Sequence, residues 1–272
     1  MLGVPAYVLN TIDHESEDTT TERTVPRDGL AALRAEIGLR EIASLIERTA
    51  RWVAPETFRL LPVWYPEHAR AQPFYKGGWS APQMNTRRST GVSTHKVEGN
   101  VYANQALTLA LGLRKADRPN WSCCHIWGVD DATYQLSNVV VQDRRFYSCV
   151  ANMVLLPTPL KAFTDSMADV KAMLRICARS LYGWQCDHDA MSDVNAALDK
   201  WTDWSSYPAS WPRQPGDRKR PRGLVEFTPA IEAQAKKRLA QIRHDLRHAG
   251  EFYPREQVRE VLDYWRIAHD AG

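Results

Sequence analysis

The chain has 272 residues and a mass of 31.0 kDa, with 44% hydrophobic and 25% charged residues. These values exclude a wholly disordered chain, a collagen and a small disulfide-stabilised scaffold. No apolar run reaches the 18 residues of a membrane span, and no basic region precedes the first apolar stretch, so neither a membrane span nor a secretory signal is predicted. The five cysteines form no CxxC pair, and we expect reduced thiols in a cytoplasmic protein.

The net charge is only +3, but the charges are unevenly distributed along the chain. Residues 1–30 contain six acidic residues and two arginines, whereas residues 213–247 contain ten lysines or arginines and four acidic residues. A basic region of this density is typical of a surface that binds a phosphate backbone. The alternative is a solvated helix face joined to a charged linker.

The first half of the chain predicts helices separated by an aromatic-rich segment. Residues 1–27 are polar and acidic, and we expect them to be flexible. Apolar residues at helical spacing then predict a helix from Asp28 to about Val53, and a second helix over 101–113. Between them, residues 54–94 are rich in proline, glycine and aromatic residues, which predicts loops with short strands. The aromatic rings of this segment either stack on nucleic-acid bases or pin the segment to the core.

The second half predicts three further helices, over 170–184, 229–248 and 254–268. The last two follow a tryptophan-containing connector and a basic linker. Together with two short strands predicted in the central segment, these helices predict an α+β fold, in which a mainly helical chain surrounds a small ββα core. The predicted regions are a flexible N-terminus (1–27), a helical and loop region that contacts DNA (28–118), the ββα core (119–184) and a basic helical region (185–272).

The centre of the chain carries the residues that suggest chemistry. A short predicted strand contains His125 near its end, a polar loop follows over 128–148, and Asn152 opens a second apolar strand over 153–156. Two prolines then end that strand and begin a helical stretch. A neutral imidazole at a strand end can act as a general base near neutral pH, and a neighbouring amide can orient it. Phosphodiester hydrolysis requires such a base.

At these residues the chain resembles the HNH (ββα-metal) endonuclease family. The resemblance covers about 50 residues and depends on His125 with Ile126, and on Asn152 with the apolar strand after it. It implies that His125 is the general base, that Asn152 orients it, and that a divalent ion, Mg²⁺ or Mn²⁺, is the cofactor. It further implies a metal-dependent endonuclease acting on double-stranded DNA, of the restriction or defence type, with homodimer formation left open.

Two positions depart from the family pattern. Cys124 stands where the family usually has an acidic or histidine metal ligand, and Lys161 takes the place of the third family residue. A protonated lysine cannot bind a metal, but Asp165, one helical turn later, can supply a carboxylate. The proposed metal ligands are therefore Asp165 and Cys124. Alternatively, Asp165 caps the next helix, with Ser166 and Asp169 as a capping box.

Several basic residues are candidate nucleic-acid contacts, each with the alternative of an ordinary exposed cation. They are Arg144, Arg145, Lys161, Arg218, Lys219, Arg220 and Arg222. Two other functions fit the sequence. One is a non-catalytic nucleic-acid-binding protein with a structural ββα element, and the other is a metal-independent RNase toxin that uses His125.

Overall fold

The computed structural model describes residues 28–128 and 137–269. The fold is mixed helix and sheet, as the α+β prediction expected, and the described residues contain two small antiparallel sheets. No helix among the described residues is long and apolar enough to cross a bilayer. The elements in chain order are α1 (Gly29–Glu36), α2 (Leu39–Thr49), α3 (Pro55–Leu60), β1 (Met84–Thr86), β2 (Ser93–His95), α4 (Val101–Ala110), β3 (Trp121–His125), α5 (Arg144–Tyr147), β4 (Met153–Pro157), α6 (Lys161–Ser166), α7 (Ala168–Tyr182), α8 (Ser192–Asp199), α9 (Pro229–His248) and α10 (Arg255–Tyr264).

The helix predicted from Asp28 to Val53 is two helices, because the chain breaks at Gly38. Gly38 has an extended backbone and precedes α2, and its N–H donates to the Glu41 carboxylate at 2.8 Å. This bond satisfies one of the free donors at the start of a helix. The chain divides into two compact units at this break, with α1 in the first and all later elements in the second.

The C-terminal helices follow their local signals to different degrees. The helix α9 has the predicted bounds, because Thr228 caps it by accepting from the N–H of Ile231 and Pro229 occupies its first turn. The helix α10 ends at Tyr264, four residues before the predicted end. The helix α8 was not predicted, because it buries a single residue, Leu198, and its apolar pattern is therefore weak.

The aromatic segment over 54–94 is pinned to the core by its rings. Trp64 is fully buried, and Tyr65 and Phe74 are more than nine-tenths buried. Rings in these positions cannot stack on a nucleic-acid base, so the pinning interpretation is correct for all three. The cations Lys76 and Arg87 of the same segment are exposed.

The central sheet pairs β3 with β4 in antiparallel register, with Trp121 opposite Pro157 and His125 opposite Met153. At the other edge of β4, Arg51 forms an isolated antiparallel β-bridge with Leu155. The next residue, Trp52, forms a parallel β-bridge with Leu224. The central residues of β4 are fully buried, as an apolar run predicts. The helices α6 and α7 follow, so the predicted order of strand, strand and helix is observed.

The connection between the two strands is less of a loop than predicted. Residues 137–148 include a short 3-10 turn, Val139–Gln142, and the helix α5. The remainder of the predicted loop, 129–136, lies outside the described residues, as does the predicted flexible N-terminus, 1–27.

Candidate active site

A small pocket of about 160 Å³ lies at the C-terminal end of β3. It brings together four of the residues predicted from the sequence, which are Cys124, His125, Lys161 and Asp165. Five further residues complete its described lining, and they are Arg70, Asn100, Cys123, Asn138 and Lys171.

The position of the His125 ring is fixed by a backbone carbonyl. Its Nε2 lies 2.8 Å from the carbonyl oxygen of Tyr147, and the two rings stack with centroids 5.8 Å apart. A carbonyl oxygen can only accept a hydrogen bond, so Nε2 carries the proton. In the neutral ring, the lone pair is therefore on Nδ1, which is the nitrogen that can take a proton from water.

The surroundings keep the His125 imidazole neutral at pH 7. Burial lowers the pKa of His125 to about 4, against the opposing effect of the Tyr147 carbonyl. The positive charges of Arg70 and Lys171 lower the pKa further. A general base must be unprotonated before it acts, and His125 meets that requirement.

Asn152 is fully buried in the turn before β4 and does not orient the imidazole directly. Its side-chain oxygen accepts from the N–H of Trp127 at 2.7 Å, and its side-chain nitrogen donates to the carbonyl of Phe146 at 3.1 Å. Trp127 lies two residues after His125, and Phe146 precedes the residue whose carbonyl holds the ring. The predicted amide contact to the imidazole is wrong, and Asn152 instead fixes the backbone on both sides of His125.

The described residues do not form a site that fits a resident divalent ion. Burial raises the pKa of the Cys124 thiol to about 12, so the free thiol is protonated at pH 7. The Asp165 carboxylate forms an ion pair with Lys161 one turn earlier in α6. Among residues 28–128 and 137–269, no group of three metal-binding side chains occurs. Within these ranges the predicted Mg²⁺ or Mn²⁺ ligands, Asp165 and Cys124, have no third metal-binding side chain grouped with them, and the metal site stays a prediction.

The alternative role of Asp165, as a helix cap, is also wrong. The residue before α7 is Met167, and no side chain caps this helix. The hydroxyl of Ser166, proposed for the capping box, donates to the carbonyl of Ala162 instead. Asp165 belongs to α6 and contributes its carboxylate to the pocket.

Sequence reasoning missed the pocket residues that come from distant parts of the chain. Arg70 donates to the carbonyl of Gly99 at 3.2 Å and to the side-chain oxygen of Asn100 at 3.3 Å. Lys171 is buried in α7 beside the apolar stripe. The position of Lys171 next to the apolar stripe of a predicted helix is a local sequence signal that could have indicated the pocket. The sequence around Arg70 and Asn100 contains no such signal.

Two predicted phosphate contacts, Arg144 and Arg145, line another pocket, of about 460 Å³. The Arg145 guanidinium pairs with the Asp143 carboxylate at 2.6 Å and lies over the ring of Tyr264. Arg144 is held by the backbone carbonyl of Glu67. These contacts compensate the charge of Arg145 within the protein, and neither arginine lines the His125 pocket.

The predicted basic linker is an exposed turn that is tethered to the central sheet. The Asp217 carboxylate accepts from the N–H of Lys219 at one end, and the Gly223 carbonyl accepts from the N–H of Trp52 at the other. A side chain at Gly223 would lie 1.7 Å from the carbonyl oxygen of Ala50, so only glycine fits. All four predicted cations of the turn are exposed, and they are Arg218, Lys219, Arg220 and Arg222.

Comparison of the chain with protein-family models, with curated proteins and with solved structures gave no match. What the protein does must therefore be inferred from the pocket around His125 and the charged surfaces near it.

Proposed function

We propose that the protein is a cytoplasmic endonuclease that hydrolyses phosphodiester bonds in DNA, with His125 as the general base. The observation that carries this proposal is the neutral His125 imidazole, held through Nε2 by the Tyr147 carbonyl in a pocket with cationic side chains. A proton from water passes to Nδ1, and the water oxygen forms a bond to phosphorus. The bond from phosphorus to the leaving oxygen breaks, and that oxygen takes a proton from solvent.

The arrangement of the core supports this chemistry. The strand pair β3–β4 and the helices after it hold His125 in the strand–strand–helix order of the family that the sequence resembles. Arg175, which is 2% exposed in α7, donates to the carbonyls of Ile126 and Gly128, and so ties the helix to the chain just after His125. A general base on such a rigid support keeps its direction during the reaction.

The exposed basic turn supports a polyanionic substrate. Trp52 connects this turn, through the Gly223 carbonyl, to the segment that bridges β4. Four exposed cations on a tethered turn can neutralise backbone phosphates, and such contacts position a protein without reading the sequence. A role in restriction or defence is part of the proposal and follows from the family resemblance alone.

A metal-independent ribonuclease is the second candidate, because the described side chains around His125 include no group of three metal ligands. In RNA the nucleophile is the neighbouring 2′-hydroxyl, whose proton would pass to His125. The 2′-oxygen would bond to phosphorus, the bond to the 5′-oxygen would break, and that oxygen would take a proton from solvent. The products would be a 2′,3′-cyclic phosphate and a 5′-hydroxyl.

The test is an incubation of the purified protein with supercoiled plasmid DNA and with an RNA transcript, in Mg²⁺, in Mn²⁺ and in EDTA. A His125→Ala preparation made in parallel controls for contaminating nucleases. We expect the wild-type protein to nick and linearise the plasmid. Cleavage of RNA alone, with cyclic phosphate ends, would replace the first candidate by the second. No cleavage of either substrate in any of these conditions would overturn both.

A further inference from the structure

The strands β1 and β2 form an antiparallel hairpin, residues 84–97, both of whose faces are exposed. Met84 lies opposite His95 in this exposed hairpin. Every residue of the segment is exposed, including the apolar Val92, whose side chain is in a residue 56% exposed. A two-stranded ribbon on its own is only marginally stable in water. Since the described residues bury neither face, both faces are open to a partner.

The segment that contains the exposed hairpin is strongly cationic. Residues 68–97 contain five lysines or arginines and no aspartate or glutamate. Two of these cations, Arg87 and Arg88, are adjacent at the turn of the hairpin, and both are exposed. Neither guanidinium forms an ion pair within the part of the chain that the structure describes. A cationic surface without carboxylates attracts a polyanion.

The two faces of the exposed hairpin differ in what their side chains can bind. On one face, which includes His95, the hydroxyls of Thr86 and Ser93 bond to each other at 2.8 Å. The alternation of strand side chains places Asn85 and Arg87 on the other face. Among the described residues, neither the Asn85 amide nor the Arg87 guanidinium makes a hydrogen bond, so their polar groups are available to a ligand.

The dimensions of a two-stranded ribbon fit the major groove of B-DNA. Paired strands lie about 4.8 Å apart, and the major groove, about 12 Å wide, admits such a ribbon, whereas the minor groove is only about 6 Å wide. From Gln83 to Arg87 the strand rises roughly 13 Å, at about 3.3 Å per residue. This length exceeds the groove depth of about 8.5 Å. The major groove of A-form RNA is narrow, and side chains cannot read it.

The base of the exposed hairpin is tied to the candidate active site. The backbone ladder continues beyond the hairpin, where the N–H of Glu98 donates to the Gln72 carbonyl at 2.8 Å. It ends at Arg70 and Asn100, whose side chains are hydrogen-bonded at 3.3 Å and which both line the His125 pocket. A ligand held by the hairpin therefore lies on the same continuous ribbon as residues of the pocket.

We infer that the exposed hairpin enters the major groove of double-stranded DNA, with Asn85 and Arg87 at the base edges and the His95 face turned away. Arginine pairs bidentately with guanine and asparagine with adenine in this groove. Arg88, at the turn, contacts a backbone phosphate. That this DNA is also cleaved rests on the proposed function, whereas the binding of DNA by the hairpin does not.

The length of the ribbon limits how far the recognised bases lie from the cut. Val92, beside Arg87 at the turn, is joined to Asn100 by a stretch that spans at most about 28 Å when fully extended. At about 3.4 Å per base pair, this span corresponds to roughly eight base pairs. The recognised bases therefore lie within about eight base pairs of the phosphate at His125.

The test begins with binding in EDTA, where metal-dependent cleavage is blocked. The full-length protein is incubated with short DNA duplexes of randomised central sequence, and the bound duplexes are recovered and sequenced. We expect a preference at a few adjacent positions, with a guanine among them. The affinity for the selected duplex, and for an RNA duplex of the same sequence, is then measured by fluorescence anisotropy, and we expect the DNA to bind more tightly.

Variants of the two faces separate base reading from a general effect of charge. Arg87→Ala should weaken binding of the selected duplex by about tenfold or more and relax the preference for guanine, the usual effect of losing a bidentate base contact. His95→Ala, on the opposite face of the same hairpin, is the matched control and should change neither quantity. Both residues are exposed, so neither replacement should prevent folding, which circular dichroism checks.

A modified base locates the contact in the major groove. Replacing the selected guanine by 7-deazaguanine removes its N7 acceptor, which faces the major groove alone. The wild-type protein should bind this duplex less tightly than the unmodified one. Arg87→Ala should bind the two duplexes equally, because the group that uses N7 is already absent. An equal loss for the wild type and the variant would contradict the contact.

The outcomes distinguish the inference from the proposed function. Equal DNA binding by Arg87→Ala and His95→Ala would overturn the inference and leave the hairpin to a protein partner. The absence of any sequence preference, or RNA bound as tightly as DNA, would also overturn it. Selective DNA binding without cleavage in any metal ion would support the hairpin and overturn the nuclease proposal. Cleavage by the wild type, with DNA binding unchanged in Arg87→Ala, would overturn the hairpin and leave the nuclease proposal standing.

Discussion

Replacing Asn152 by alanine should destabilise the protein strongly, because this one amide joins the two backbone segments around His125. Asn152 is fully buried, and its side chain satisfies the N–H of Trp127 and the carbonyl of Phe146. Removing the amide leaves both groups buried without a partner. Each orphaned group costs about 1–3 kcal/mol, so the free energy of unfolding should fall by about 2–6 kcal/mol.

The assay is urea unfolding at pH 7, followed by tryptophan fluorescence, with the slope against urea concentration compared between variants. Asn85→Ala is the matched control, because Asn85 is exposed in β1 and its loss should change stability by less than about 0.5 kcal/mol. If Asn152→Ala were destabilised by less than about 1 kcal/mol, the two hydrogen bonds would not support the site as described.

Three other perturbations test separate parts of the structure. Gly223→Ala should lower the melting temperature clearly, because the added Cβ would lie 1.7 Å from the Ala50 carbonyl oxygen. The control Gly77→Ala, where a Cβ meets no atom within 4 Å, should not lower it. Equal effects of the two variants would refute the close packing of Gly223 against Ala50. Burial lowers the pKa of His68 to about 3, so the unfolded chain binds a proton at higher pH than the fold does. The free energy of unfolding should therefore fall as the pH drops from about 6.5 towards 3, by up to about 1.4 kcal/mol per pH unit. His68→Phe should reduce this pH dependence, and identical pH profiles of the variant and the wild type would contradict the role of His68. Neutralising the four cations of the exposed basic turn should reduce the slope of log K for DNA binding against log salt concentration by about 3.6, or about 0.9 per phosphate contact. Sequence preference should not change. An unchanged slope would show that the turn is a solvated linker. The residues replaced in that variant are Arg218, Lys219, Arg220 and Arg222.

Local signals in the sequence predicted the elements that local interactions determine. The bounds of α9 follow from its capping threonine and its first-turn proline, and the strand pair β3–β4 follows from apolar runs bounded by polar and proline residues. The position of His125 at the end of β3 was predicted for the same reason. Where a signal was weak, as in the short helix α8, or was overridden by a glycine, as at Gly38, the prediction failed.

The contacts of the site were not predictable, because they depend on how distant segments pack. Arg70 and Asn100 reach the pocket from loops before α4, and nothing in their neighbourhood marks them as site residues. Asn152 was predicted to orient His125, but the partners of its amide depend on where Trp127 and Phe146 lie after folding. The pairing of Asp165 with Lys161 fits the i,i+4 helical spacing, which the metal-ligand interpretation did not take into account.

The most direct test of the account is the single-turnover rate of nucleic-acid cleavage by the wild-type protein, by His125→Ala and by the control His95→Ala. His95 is an exposed residue of β2, and its replacement should leave the rate unchanged. Loss of a general base should lower the rate by about 10²–10⁴-fold, while nucleic-acid binding and the circular dichroism spectrum stay as in the wild type. A loss of less than about tenfold for His125→Ala, or an equal loss for His95→Ala, would contradict the assignment of His125 as the general base.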